Sequence, residues 1–157
     1  MIVLDVPLVK QSNWDSCWYA ATCMVAYFRY PGPRLGVPDI YAKSGDRGKP
    51  RPKNARGIIP GAELSRLAKN ERFNAVPFPE TGWTPDLLET ALRKYGPIWA
   101  GGIFGNGQGH VIVLTGVIGD KVIFNDPWEP ERKVQNFVWF NTNLGPPTWP
   151  SLMYLPA

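Results

Sequence analysis

Residues 18–28, Trp-Tyr-Ala-Ala-Thr-Cys-Met-Val-Ala-Tyr-Phe, are apolar almost all the way round at helical spacing. Trp18, Ala21, Val25 and Phe28 lie near one stripe, and Tyr19, Met24 and Tyr27 fill the other sides. Such a helix is buried on several sides, so the rest of the chain must wrap it. The pattern predicts a helix over 16–30, stopped by Pro31-Gly32-Pro33. A chain of 157 residues with 44% apolar content has enough material to build one core around it.

Cys17 stands at the start of this helix, and Gln11 lies six residues upstream. The first turn of a helix carries unpaired N–H groups and a partial positive charge. That environment favours a thiolate and makes a nucleophile of a cysteine. The side-chain amide of Gln11 is a donor suited to an oxyanion. The second cysteine, Cys23, would sit about 9 Å along the same helix, too far for a disulfide. It reads as a core residue, and two free thiols fit a reducing compartment.

Beyond the first helix, 31–59 is turn-rich, with a short helical turn near Pro38–Ala42. Pro60 opens a second helix with Leu64, Leu67 and Ala68 inward. Thr84-Pro85-Asp86 starts a third, capped by Thr84 and ended by Gly96-Pro97. The periodicity then changes. Ile98–Phe104, His110–Val117 and Lys121–Asn125 read as strands, the last two joined at Gly119-Asp120, with short strands at Trp139-Phe140 and Leu152–Leu155. Helices first and antiparallel strands later predict an α+β fold. We expect a single domain over 1–157, with a helical lobe about 11–95, a β lobe about 96–157 and a cleft between them.

The only histidine, His110, follows a glycine-rich loop (105–109) and opens the apolar strand Val-Ile-Val-Leu. A nucleophilic cysteine needs a base that later protonates the leaving amine. Asn125 and Asp126, at the end of the returning strand, can orient that imidazole. A two-residue turn at Gly119-Asp120 pairs His110 with position 129, however. Contact with Asp126 therefore requires a longer loop or a bulge, expected at Gly116–Gly119.

Taken in order, Gln11, Ser16-Cys17-Trp18, Gly109-His110 and Asp126-Pro127-Trp128 resemble the papain-like cysteine peptidases. In that family Gln precedes Cys by six, Trp follows Cys, and a Trp lies two residues after the Asn or Asp. The short length, Trp-Tyr-Ala-Ala after Cys17 and Asp-Pro-Trp look most similar to small bacterial effectors, among them plant-pathogen avirulence proteases and interbacterial toxin domains. The resemblance implies a papain-like fold with Cys17 as nucleophile, His110 as general base and acid, and Asp126 as its orienter. It further implies an oxyanion hole from Gln11 and the Cys17 N–H, with Trp128 packed over the His–Asp pair. Trp14 and Asp15 replace the family's Cys and Gly before the Ser, and Asp15 would cap the helix or oppose a thiolate. With Gln11 only ten residues from the start, no inhibitory propeptide is expected. No cofactor or metal is expected.

The function expected is cysteine endopeptidase action on a protein substrate through an acyl-enzyme on Cys17. The same chemistry serves an amidase, deamidase or acyltransferase, and seven tryptophans with a basic surface would also suit a non-catalytic binding module. The glycines at 101–102 and 105–109 suggest a small residue, such as Gly, at the cut site. A toxin would have a cognate immunity or inhibitor protein. The chain lacks a membrane-length apolar run and a secretory signal, so delivery by a dedicated secretion system to the cytoplasm of a target cell is expected, with the protein a monomer. The net charge of +4 is concentrated at 43–56, in Lys43, Arg47, Lys49, Arg51, Lys53 and Arg56. That stretch reads as a solvated loop or an electrostatic guide. Nucleic acid is not expected as a partner because no recognition motif accompanies it.

Overall fold

The protein is described by a computed structural model covering residues 1–157. Five helices surround one seven-stranded sheet. In chain order the elements are β1 (Ile2–Val3), α1 (Cys17–Tyr27), α2 (Pro38–Tyr41), α3 (Ala62–Glu71), β2 (Asn74–Ala75), α4 (Pro85–Tyr95), β3 (Ile98–Gly105), β4 (Gln108–Ile118), β5 (Lys121–Asp126), β6 (Glu131–Asn136), α5 (Phe137–Asn143) and β7 (Leu152–Tyr154). The sheet is antiparallel in the order β2-β7-β3-β4-β5-β6, and β1 pairs with the far end of β4. This is the α+β architecture expected. No helix is long and apolar enough to cross a membrane.

The central strand β4 explains the layering. Val111 and Val113 enter one apolar cluster with Trp18, Met24, Leu64 and Leu67. Ile112 and Leu114 enter a second with Leu88, Leu92, Phe124 and Phe140. Both faces of the strand are covered, α1 and α3 on one and α4 and α5 on the other, which is why Val-Ile-Val-Leu reads as an unbroken apolar run. Helix α1 meets the prediction for an all-round apolar segment, with Trp18, Ala21, Met24 and Ala26 fully buried. A fully buried side chain of the size of Met24 contributes roughly 1.5–3 kcal/mol. Thr84 caps α4 by accepting from Leu87 N–H at 3.2 Å. Although grouped with the helical lobe by chain position, α4 shares its core with the sheet.

Two departures from expectation have physical causes. Trp139-Phe140 is helical, within α5, rather than a strand. Phe140 is fully buried against Phe104, and Trp139 stacks on Phe124, so packing on the sheet overrides the β preference of aromatic residues. Strand β6 was not foreseen, because its Glu-Arg-Lys-Val-Gln-Asn sequence lacks apolar alternation and even Val134 is exposed.

The β4–β5 hairpin closes on the tight turn expected. Ile118 pairs with Lys121, Val117 with Val122 and Gly116 with Ile123, but Leu114 pairs with Phe124 and Val113 with Asn125. Thr115 is thus an extra residue, a bulge immediately before the predicted Gly116–Gly119 stretch. Its carbonyl accepts from Leu4 N–H at 2.8 Å and its hydroxyl donates to the Ile123 carbonyl at 3.2 Å. Gly116 permits β1 to lie alongside, because a Cβ there would sit 2.7 Å from the Ile2 carbonyl oxygen. Gly116→Ala is therefore expected to destabilise the protein by about 1–3 kcal/mol, since the obstacle is backbone, not a flexible side chain. Urea unfolding measures this, and an unchanged midpoint would contradict the account of how β1 locks the bulge.

Candidate active site

Cys17 begins α1 with Ser16 as N-cap. The Ser16 carbonyl takes the N–H groups of Tyr19 and Ala20, leaving the N–H of Cys17 without a carbonyl partner. Ser16 does not cap the helix through its side chain. Its hydroxyl accepts from Asn13 N–H at 3.2 Å and so shapes the loop that delivers the cysteine. Nor does Asp15 cap it. The Asp15 carboxylate is held by Arg51 through Nε at 3.1 Å and Nη2 at 3.0 Å. This bidentate pairing offsets the negative charge that sequence alone set against a thiolate. Both cysteines are free, Cys17 half-buried and Cys23 buried.

His110 occupies a position on β4 opposite both Gly102 and Ile103, where β3 is bulged. The bulge at Thr115 then decides what reaches it. With the turn's register unbroken, Asp126 would face Val113 and lie on the opposite side of the sheet from His110. The one-residue shift reverses this, because side chains alternate along a strand. Asp126 Oδ1 lies 2.8 Å from His110 Nε2. Asn125 points the other way, fully buried, donating to the Val6 carbonyl at 3.2 Å. Of the two residues left open by sequence, Asp126 is the one that meets the imidazole.

A carboxylate so enclosed needs donors. Oδ1 also accepts from Trp128 N–H at 3.0 Å, and Oδ2 accepts from Lys133 Nζ at 2.9 Å. Burial alone would push this carboxyl up, but the bonds from His110 and Lys133, the imidazolium charge and the Trp128 amide hold it down at about 2. Burial alone would likewise push His110 down. Its bond to Asp126, the neighbouring Cys17 and the charges of both raise it to about 9 instead. With Nε2 committed to Asp126, Nδ1 is the nitrogen left for the thiol.

Gln11 lies in the same cleft and is 2% exposed. Its Nε2 donates to the carbonyls of Asn13 at 3.1 Å and Trp14 at 3.0 Å, which sets the amide orientation. Its backbone N–H donates to the Pro127 carbonyl at 2.8 Å, joining the cysteine side of the cleft to the aspartate side. Arg47 doubles that link, with Nη1 donating to the carbonyls of Gln11 at 3.2 Å and Trp128 at 2.8 Å. The Arg47 guanidinium also lies 3.6 Å over the Trp128 ring, which in turn packs on Trp14 at 5.5 Å. The ring of Trp128 is thus held between Arg47 and Trp14, and it is the backbone N–H of this residue that bonds Asp126.

These residues line a cleft of about 990 Å³ that holds Gln11, Cys17, His110, Asp126 and Trp128 together. The family described as papain-like cysteine protease AvrRpt2 matches residues 1–145. The chain belongs to this family of papain-like cysteine proteases. Among solved structures, the peptidase domain of Streptococcus ComA, a bi-functional ABC transporter involved in a quorum-sensing pathway, has the same fold. It matches with a TM-score of 0.55 at 16% identity, over 96% of this chain and 98% of that one.

Several parts of this papain-like site escaped sequence reading. Lys133 and Arg47 carry no local signal: Arg47 lies in the turn-rich basic stretch, and Lys133 lies on β6, whose sequence lacks apolar alternation. The basic stretch 43–56 is neither simply solvated nor a free electrostatic guide. Arg47 and Arg51 bind the site's own backbone and Asp15, and Arg56 pairs with Glu63 through two bonds of 2.9 Å. Gly102 also has a packing reason, since a Cβ there would meet the Asn143 carbonyl oxygen at 2.2 Å.

The two shifted groups set a pH window. The raised His110 stabilises the fold fully below its ordinary value of 6.5, and that contribution is lost as pH rises through about 9. The depressed Asp126 contributes fully above its ordinary value of 3.8, and is lost as pH falls through about 2. Urea unfolding of wild type and His110→Ala at a series of pH values is expected to show their stability difference shrinking between pH 6.5 and 9. A constant difference across that range would count against the imidazolium–carboxylate pair.

Proposed function

We propose that this papain-like protease is a cysteine endopeptidase that cuts a protein substrate through an acyl-enzyme on Cys17. The observation that carries the reading is the 2.8 Å bond between His110 Nε2 and Asp126 beside a cysteine at a helix start. His110 takes the thiol proton through Nδ1, forming a thiolate–imidazolium pair that Asp126 and the helix N-terminus favour. The sulfur attacks the scissile carbonyl. The Cys17 N–H and one hydrogen of Gln11 Nε2, released from its carbonyl partners, bind the oxyanion. His110 then protonates the leaving amine, and the same imidazole activates the water that frees the acyl group.

The finer reading is of a bacterial effector or toxin domain, delivered by a dedicated secretion system and active as a monomer in the cytoplasm of a target cell, with a cognate inhibitor protein blocking the cleft. We expect Gly or another small residue at the cut site. The glycines that motivate this, Gly101, Gly102, Gly105 and Gly109, line the cleft with His110. A peptide library cut after bulky residues would overturn that preference.

Cys17→Ala is expected to abolish proteolysis with the fold intact, and unchanged proteolysis would refute the mechanism. Gln11→Ala is expected to lower kcat by about 10²–10³ if its amide serves the oxyanion. Proteome-wide labelling of new N-termini after exposure to wild type and Cys17→Ala identifies substrate and cut site together. A substrate mass change without a new N-terminus would point to deamidation instead.

A further inference from the structure

Lys133 sits on β6, the edge strand of the sheet, where a lysine ordinarily extends into water. Here it folds back into the cleft. Its register partner is Phe124, two residues before Asp126 and on the same sheet face, so the ammonium reaches the far oxygen of that carboxylate. Asp126 thus lies between two cationic groups, with His110 Nε2 at 2.8 Å from Oδ1 and Lys133 Nζ at 2.9 Å from Oδ2. The charged neighbours are few. Cys17 approaches His110 from α1, and Glu129 in the turn after β5 lies 3.5 Å from Lys133. Arg47 is occupied with Trp128 and the Gln11 carbonyl, and Asp15 and Arg51 neutralise one another.

A carboxylate orienter creates a difficulty that an amide would not. Its full charge stabilises the imidazolium, and an imidazolium held too firmly is a poor acid toward the leaving amine. A cation on the opposite oxygen relieves this without disturbing the orienting bond.

We propose that Lys133 is a positioning residue for the proteolytic reaction. It fixes the outer oxygen of Asp126 and offsets the charge of that carboxylate, so that Asp126 aligns His110 without withholding its proton. The proposal rests on the assignment of Cys17 and His110 made above. It makes the site a row of four groups, thiolate, imidazolium, carboxylate and ammonium, instead of three.

Because His110 is the only histidine, its ring protons give one readable NMR titration. In Lys133→Met the His110 midpoint is expected to rise by about one pH unit, since a like charge within several ångströms is lost. The alkaline limb of kcat/KM should move with it, and kcat should fall about tenfold with KM little changed. Lys133→Gln keeps a donor for Asp126 without the charge and should show the same rise. Lys133→Arg should restore the wild-type midpoint. Wild-type midpoints and pH profiles in both neutral variants would overturn the proposal. The NMR readout is independent of proteolysis. A shifted midpoint with an active Cys17→Ala enzyme would therefore refute the catalytic assignment alone. An inactive Cys17→Ala with no shift in the Lys133 variants would refute only the role of Lys133.

Discussion

One extra residue in a hairpin governs this site. Side chains alternate across a strand, so a shift of one position moves every later residue to the other face of the sheet. The bulge at Thr115 makes that shift between the turn and Asp126. Without it, Asp126 would turn toward the α1 core and Asn125 toward His110. The shift is held from outside the hairpin, by Leu4 bonding the Thr115 carbonyl and by β1 lying against Gly116. The first few residues of the chain thereby determine which side chain serves the histidine.

The electrostatics follow from the same placement. Once a carboxylate is turned into a sheltered cleft it must be met by donors, because the ionised form is costly to bury alone. Asp126 collects an imidazole, an amide and an ammonium. Each donor lies on a different part of the chain: β4, the turn after β5, and β6. The edge strand that resembles an ordinary polar hairpin arm is therefore part of the cleft wall.

Assembly of the two cleft sides depends on backbone contacts. Gln11 N–H to the Pro127 carbonyl and Arg47 to the carbonyls of Gln11 and Trp128 hold the cysteine loop against the aspartate turn. Cation–π contact of Arg47 with Trp128 adds roughly 0.5–2 kcal/mol to that closure. The loop 43–56 thus works as a staple, its arginines consumed by structure, while Lys43, Lys49 and Lys53 remain exposed.

Much was legible in the sequence because its signals are local or ordinal. The all-round apolar helix, the Thr84-Pro85-Asp86 start and the Val-Ile-Val-Leu strand follow from periodicity and capping, which neighbouring residues express directly, and the order Gln11, Cys17, His110, Asp126 was legible through its resemblance to papain-like peptidases. Where signals compete locally, reading failed. The aromatic pair Trp139-Phe140 has strand propensity but is drawn into a helix by the sheet beneath it, and β6 has too little apolar pattern to announce itself. The sequence alone determined that a cysteine would start a buried helix, that the single histidine would lie at the head of an apolar strand, and that a register break was needed between that histidine and Asp126. Only the tertiary structure decided where the break falls, that Asp126 and not Asn125 turns to His110, and that Lys133 and Arg47 join the site. Those outcomes depend on contacts between segments distant in the chain, and no local pattern encodes which backbone will lie beside which.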